Sequence, residues 1–195
     1  MATTIQRKGY GQVEPNHLSG IVTGQIYAQL PAATAATSNG TTTLTAITQL
    51  EQGQFLKYDY ANGCADYAGD GEWMLVYCEE KLYDERYQSH KDFVLKNTDF
   101  TDNYIYPRLI KTNVGDIYTT NMFGAANTGV DAIVGTSVSL SVGEYLQPAA
   151  ATGILTKATI AENADYTSLT GMVWKVVKEY TMPDGTPGVK IQRVQ

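Results

Sequence analysis

The carboxylates of this sequence are where chemistry would be sought first. Glu79, Glu80, Asp84 and Glu85 crowd into EEKLYDE, within the most charged part of the chain. A glycosidase needs two such groups facing a sugar across a cleft. Crowding along one short segment reads instead as a solvated loop or helix. In DYAGDGE, Asp66, Asp70 and Glu72 stand among glycines, loosely as in a calcium loop. The spacing is not that of an EF-hand and the acid at its twelfth position is missing, so a turn between strands is expected. His17 and His90 are far apart in sequence, and neither is arranged with a carboxylate as a metal motif. There is no HExxH, no GxSxG elbow, no P-loop and no GxGxxG after a strand. Cys64 and Cys78 are not spaced as CxxC, and no zinc set can be assembled around them. Both are expected as free thiols, Cys78 inside a strand and Cys64 in a turn. Trp73 and Trp174 lie in apolar runs and read as core, not as sugar-stacking platforms. No cofactor and no metal is expected, and the chain reads as non-enzymatic.

The elements around these residues read as β. Ile26, Ala28 and Leu30 alternate with Gln25, Tyr27 and Gln29, a strand stopped by Pro31. AATAATSNGTTTLTA, with its Asn39-Gly40 turn signal, is either a loop or a weak strand of threonines. LEQGQFLKYDY is a strand with Gly53 at its start. EWMLVYC is a nearly continuous apolar run, as in a central strand covered on both faces or a barrel interior. EEKLYDERYQSHKDF is a short helix or a long loop leading to the strand FVLK. Pro107 pushes YIYPRLIK toward an edge strand. NVGDIYTTNMF is a turn and a strand, and Ala132 to Val134 and Ser137 to Val142 are further short strands. GEYL at Gly143 to Leu146 echoes GQFL at Gly53 to Leu56, and an internal repeat is one reading of the echo. MVWKVVKEY and GVKIQRV flank the turn TMPDGTP, the clearest hairpin in the sequence. The fold class is all-β, a sandwich or barrel-like domain of short antiparallel strands.

The bulk numbers agree with this. Length, 195 residues, suits one domain or two small ones divided near 125–135. Charged residues make up 17%, while Tyr is unusually frequent at 14 residues; Tyr and Thr fit the pleated face of a strand. Low charge with much Tyr and Thr also suits a surface meant to be covered. The net charge is −6, which argues against nucleic acid and against an anionic membrane surface. No apolar run is long enough to span a bilayer, and no secretory leader is visible, so synthesis and folding in a cytosol are expected.

Residues 1–19 stand apart from the β-rich remainder, 20–195. They are too polar for a leader, too poor in large apolar residues for a core, and too rich in Gly, Pro and Asn for a helix. They read as an extended arm. Ile5, Tyr10, Val13 and Leu18 are its apolar contacts, and Arg7 and Lys8 are its basic end. Such a segment can lie in a groove or add a strand to a neighbour's sheet.

VEPNHLSGIVTGQIYAQLPA, LEQGQFLKYDYANG, GEWMLVYCEEKLYDERYQSHKDF and PRLIKTNVGDIYTTN, in that order, resemble the small capsid-associated proteins of tailed bacteriophages. These are head decoration, cement or head-fibre-base proteins. The resemblance implies a β-rich domain on the outside of a capsid, bound to the major capsid protein, often as a homotrimer, and stabilising the shell. Its place would be the virion surface after synthesis in the host bacterial cytoplasm. No catalytic residues come with such a family. A tail or neck protein, a carbohydrate-binding β module and an enzyme built on Glu79 to Glu85 are the rival readings.

Overall fold

The computed structural model describes residues 3–6, 10–27, 30–77, 82–84, 89–91, 94–99, 101–124, 137–160, 165–183 and 185–195, with the side chains of 3–6, 82–84, 89–91 and 137–138 outside the description. The fold is an all-β sandwich, as the sequence leads one to expect. The strands before residue 60 are β1 (Thr3–Gln6), β2 (Val13–His17), β3 (Ile26–Tyr27), β4 (Ala33–Ser38), β5 (Thr41–Ala46), β6 (Gln49–Leu50) and β7 (Phe55–Asp59). A single helical turn, Ser19–Val22, interrupts them. Then come β8 (Cys64–Asp66), β9 (Trp73–Val76), β10 (Leu82–Asp84), β11 (Ser89–Lys91), β12 (Leu95–Lys96), β13 (Leu109–Lys111), β14 (Ile117–Thr120) and β15 (Phe123–Gly124). The last are β16 (Ser137–Leu140), β17 (Tyr145–Pro148), β18 (Leu155–Lys157), β19 (Trp174–Thr181) and β20 (Pro187–Arg193).

Two sheets carry the domain. One has five strands in the order β3-β13-β9-β7-β8, and the other seven in the order β15-β18-β17-β19-β20-β14-β2. The larger sheet uses strands from both sides of residues 125–136, which lie outside the described residues. Alternation decides what each face buries. In the smaller sheet Phe55, Leu75 and Ile110 line up across three strands and face the larger sheet. Their opponents are Leu146, Trp174, Val176 and Ile191. Trp174 stands between the layers, 5.9 Å from the Phe55 ring and edge-on to Tyr118 at 5.0 Å. The opposite face of the smaller sheet, with Leu56, Tyr58, Met74, Val76 and Leu109, is covered by Ala32, Ile47, Leu50 and Ile105. β9 is therefore central and covered on both faces, which explains its continuous apolar run. The Tyr118 hydroxyl and the Trp174 Nε1–H are buried here without a protein partner among the described residues.

Two local expectations change, and one open alternative is decided. YIYPRLIK does not supply an edge: β13 lies between β3 and β9, because Pro107 falls before the ladder and removes no donor from it. The threonine-rich stretch is a hairpin, β4 paired to β5 along its whole length, with Asn39 (φ 51°) and Gly40 (φ 76°) forming the turn. In the acidic stretch, β10 and β11 pair antiparallel, so the described part is neither helix nor plain loop. The expected strand at Ala132 to Val134 lies outside the described residues.

The echo between GQFL and GEYL is structural. Residues 51–54 and 141–144 make the same turn, and residues 113–116 make it a third time. In each the third residue is a glycine with positive φ: Gly53 (88°), Gly115 (96°) and Gly143 (95°). In each the fourth residue sends its side chain back to the first amide: Glu51 N–H donates to Gln54 Oε1 (2.6 Å), Asn113 N–H to Asp116 Oδ2 (2.9 Å), Ser141 N–H to Glu144 Oε2 (2.9 Å). In each the turn exchanges two backbone bonds with one residue of a neighbouring strand. Gly53 N–H donates to Val76 O while Val76 N–H donates to Gln54 O. The same exchange joins Gly115 and Asp116 to Arg193, and Gly143 and Glu144 to Val176. Each turn thus aims the strand that follows it, β7, β14 or β17.

The glycines differ in surroundings. A Cβ on Gly143 would meet open space, whereas on Gly53 it would lie 2.8 Å from Met122 Cβ and 3.0 Å from Thr120 Oγ1. Gly143→Ala is expected to cost only the backbone strain, about 1–2 kcal/mol, and Gly53→Ala at least twice that. Denaturant midpoints at unchanged slope check the difference.

Candidate functional site

The N-terminal segment is where the structure departs most from the sequence reading. It is extended, but most of it is built into the chain's own domain. β1 pairs with β16, and β2 is the edge strand beside β14 in the seven-stranded sheet. Val13 and Leu18 are 0% and 3% exposed and belong to the central core, so neither is offered to a neighbour. Tyr10 remains 45% exposed. Ile5 lies on β1, opposite Val138, with its side chain outside the description, and Arg7 and Lys8 are not described. The reason for the docking is polar as well as apolar. Gly11 N–H donates to Glu51 Oε2 (2.6 Å), and Gln12 N–H to Asn121 Oδ1 (2.7 Å). The Thr120 hydroxyl donates to Gln12 O (2.7 Å). Ser19 donates to Asp116 Oδ1 through both its N–H (3.0 Å) and its hydroxyl (2.7 Å). Glu51, Asp116 and Asn121 are themselves almost wholly buried, so these bonds form where water does not compete. The sequence signal for them is faint: buried acids that sit in or beside the repeated glycine turns.

Among the described residues, one cluster of carboxylates and a thiol converges. On the β7–β8 hairpin, a carboxylate oxygen of Asp59, the Cys64 sulfur and a carboxylate oxygen of Asp66 lie within 4.8 Å of one another. Asp59 accepts from Asn62 N–H (3.0 Å) and Asn62 Nδ2 (2.6 Å), which holds its carboxyl below the usual range and closes the turn. Asp66 accepts from Ala68 N–H (2.9 Å). Cys64 is fully buried on β8 and not in a turn; burial first, then Asp66 and Asp59, push its thiol up to about 11. It is a neutral thiol at physiological pH, neither a nucleophile nor a ready metal ligand. Both carboxylates brace the hairpin. Asp66, Asp70 and Glu72 do not gather into a calcium loop: Asp70 is exposed and Glu72 pairs with Lys111 at 2.6 Å.

The remaining candidates disperse. His17 is exposed at the end of β2, and His90 lies on β11 opposite Tyr83. Glu79, Glu80, Glu85 and Cys78 lie outside the described residues, and Asp84 is on β10. Trp174 is core as expected; Trp73 is half-buried with Lys57 Nζ 4.9 Å over its ring. Among the described residues no helix is long and apolar enough to cross a membrane.

The fold also presents an uncharged hairpin, exposed tyrosines and an open groove. The β4–β5 hairpin stands on the edge of the smaller sheet through an Ala32–Ala65 bridge, and most of its residues are exposed on both faces. It carries no charge, and no Asp, Glu, Lys or Arg occurs anywhere between Glu14 and Glu51. Nearby, exposed Tyr60 and Tyr27 flank Tyr58, with ring centroids 5.7 and 5.3 Å away. At the 141–144 turn, an open groove of about 580 Å³ runs along Glu144, Tyr145, Lys157 and residues 158–160. Lys157 Nζ pairs there with Glu144 Oε1, and Tyr145 packs against Tyr166 at 5.4 Å. No family model, no curated protein and no solved structure matches this chain.

Deleting residues 2–19 is expected to abolish cooperative unfolding, measured by circular dichroism on heating. The lost burial of Val13 and Leu18 alone is worth about 3–6 kcal/mol, against a total stability of about 5–15 kcal/mol. A second outcome follows from Cys64, whose ordinary value is 9.0. The folded state holds this proton more tightly than the unfolded chain does. The contribution of this thiol to stability is therefore full below pH 9 and is lost as pH rises through 11. Tyr58 and Tyr67, pushed by burial from 10.0 to about 12, add to the fall at higher pH. Cys64→Ala should delay the onset of alkaline unfolding until the tyrosines begin to titrate, as a pH series of thermal melts would read.

Proposed function

We propose that this chain is a non-enzymatic structural protein of a virus particle. It binds the outer surface of a tailed-bacteriophage capsid through the major capsid protein, as a homo-oligomer, a trimer being favoured, and stabilises the shell. The observation that carries the reading is the β4–β5 hairpin: charge-free, largely exposed, and paired into no larger sheet among the described residues. A two-stranded hairpin is marginal alone in water, and an uncharged open edge invites another chain. Such an element suits assembly better than catalysis. The titratable groups that converge among the described residues serve to close turns and hold segments, which fits the same reading. The resemblance to head decoration and cement proteins supplies the kind of assembly. The action is thermodynamic: a protein that binds only the assembled lattice stabilises it by mass action, and many copies on a symmetric shell add their weak contacts.

The test is a copy number. Intact particles from the virus encoding this chain should contain it in a simple ratio to the major shell protein, hundreds of copies each, by quantitative mass spectrometry. A handful of copies would move it to the tail or neck. Absence from the particle would overturn the structural reading and return attention to glycan binding or catalysis.

A further inference from the structure

An asparagine followed by glycine carries its own reagent, because the next backbone nitrogen lies close to the side-chain carbonyl and glycine has no Cβ to crowd the approach. The sequence holds two such pairs, Asn39-Gly40 between β4 and β5 and Asn62-Gly63 between β7 and β8. A Cβ on either glycine would meet nothing within 4 Å, so crowding does not separate the two sites. Hydrogen bonding does. Asp59 clamps Asn62, accepting its Nδ2 (2.6 Å) and its backbone N–H (3.0 Å). The Gly63 N–H donates to Asp59 O (2.9 Å), so the attacking nitrogen there is tied up. Asn39 and Gly40 are both exposed. Among the described residues the Asn39 side chain has no hydrogen-bond partner and the Gly40 N–H makes no backbone bond.

We propose that Asn39 is a site of spontaneous self-modification in the folded protein, and that Asn62 is protected from the same reaction by Asp59. Hydroxide takes the Gly40 amide proton, and the nitrogen attacks Asn39 Cγ. A C–N bond forms, the ring closes as a cyclic imide, and the side-chain nitrogen leaves as ammonia. Water then opens the imide at one or other carbonyl, leaving Asp or isoaspartate, with no oxidant or reductant involved. Ring closure requires the backbone to swing out of the tight turn. The β4–β5 hairpin has two strands and largely exposed faces, so a small local opening is enough. The product has a consequence for this element. Either form places a carboxylate in the stretch between Glu14 and Glu51, which otherwise holds no charge. Isoaspartate also adds a carbon to the main chain, which breaks the one-to-one register of Ser38 with Thr41. The inference rests on the exposure and hydrogen bonding of the two turns and not on the capsid.

The full chain, incubated in mildly alkaline buffer and sampled over weeks, reads the reaction by tandem mass spectrometry. Trypsin cuts after Lys57 and so puts the two sites in different peptides. Conversion adds about one mass unit at the asparagine. In the folded protein Asn39 should convert about tenfold faster than Asn62 or more, the factor that the loss of one hydrogen bond to a charged group implies. In concentrated urea both sites should convert at similar rates, since the clamp is gone. Asp59→Ala, with its fold checked by circular dichroism, should bring Asn62 up toward the rate of Asn39 and leave Asn39 unchanged. Should that variant not fold, the wild-type rates with and without urea still decide. An unconverted Asn39 in the folded chain, or an Asn62 that converts as fast as Asn39 there, would overturn the proposal.

Discussion

A four-residue turn, closed by its own last side chain and latched to a neighbouring strand by two backbone bonds, sets up most of this molecule. It needs a glycine because its third residue takes a positive φ. Its fourth residue is Gln54, Asp116 or Glu144, each of which reaches back to the first amide and leaves a second polar atom for another partner. From these turns start β7, in the heart of the smaller sheet, and β14 and β17 of the larger one. Once the turns fix where these strands begin, alternation decides the rest, and Phe55 and Leu146 point inward to the same core from opposite layers.

The second polar atom ties local geometry to the whole. At Asp116 it anchors the start of the helical turn after β2; at Gln54 it anchors the loop before β18. Both bonds are made in partly or wholly dry surroundings, where losing a partner leaves a desolvated group behind. The chain ends up stitched across its length, residues near 20 to residues near 115 and residues near 54 to residues near 152. Such long-range stitching explains why a polar N-terminal segment can be a structural member of the fold.

The fold class and several elements were legible in the sequence because their signals are periodic. The nearly continuous apolar run of EWMLVYC pointed to a central strand or a barrel interior, and the hairpin around TMPDGTP carried alternation, turn residues and length together. The arm was misread because an edge strand leaves little apolar trace: only Val13 in VEPNH is buried, and its anchoring comes from Glu51, Asp116 and Asn121, far away in sequence. NVGD is legible as a turn but not as a third member of the set, because it shares with EQGQ only the glycine and the reach of its last side chain. The hairpin was half visible, its Asn-Gly turn plain but its small threonine strands too weak in pattern to settle as strands.

β9 is hydrogen-bonded on both edges, to β7 and β13, and covered on both faces. Solvent has no local route to its amides. Their exchange with heavy water must wait for the entire sandwich to open, whereas amides along the outer edges of the β4–β5 hairpin exchange through small local excursions. Within one molecule the spread between these two rates spans the range from global stability to nearly none. The slow end reports the fold, and the fast end reports whether anything has settled on the hairpin.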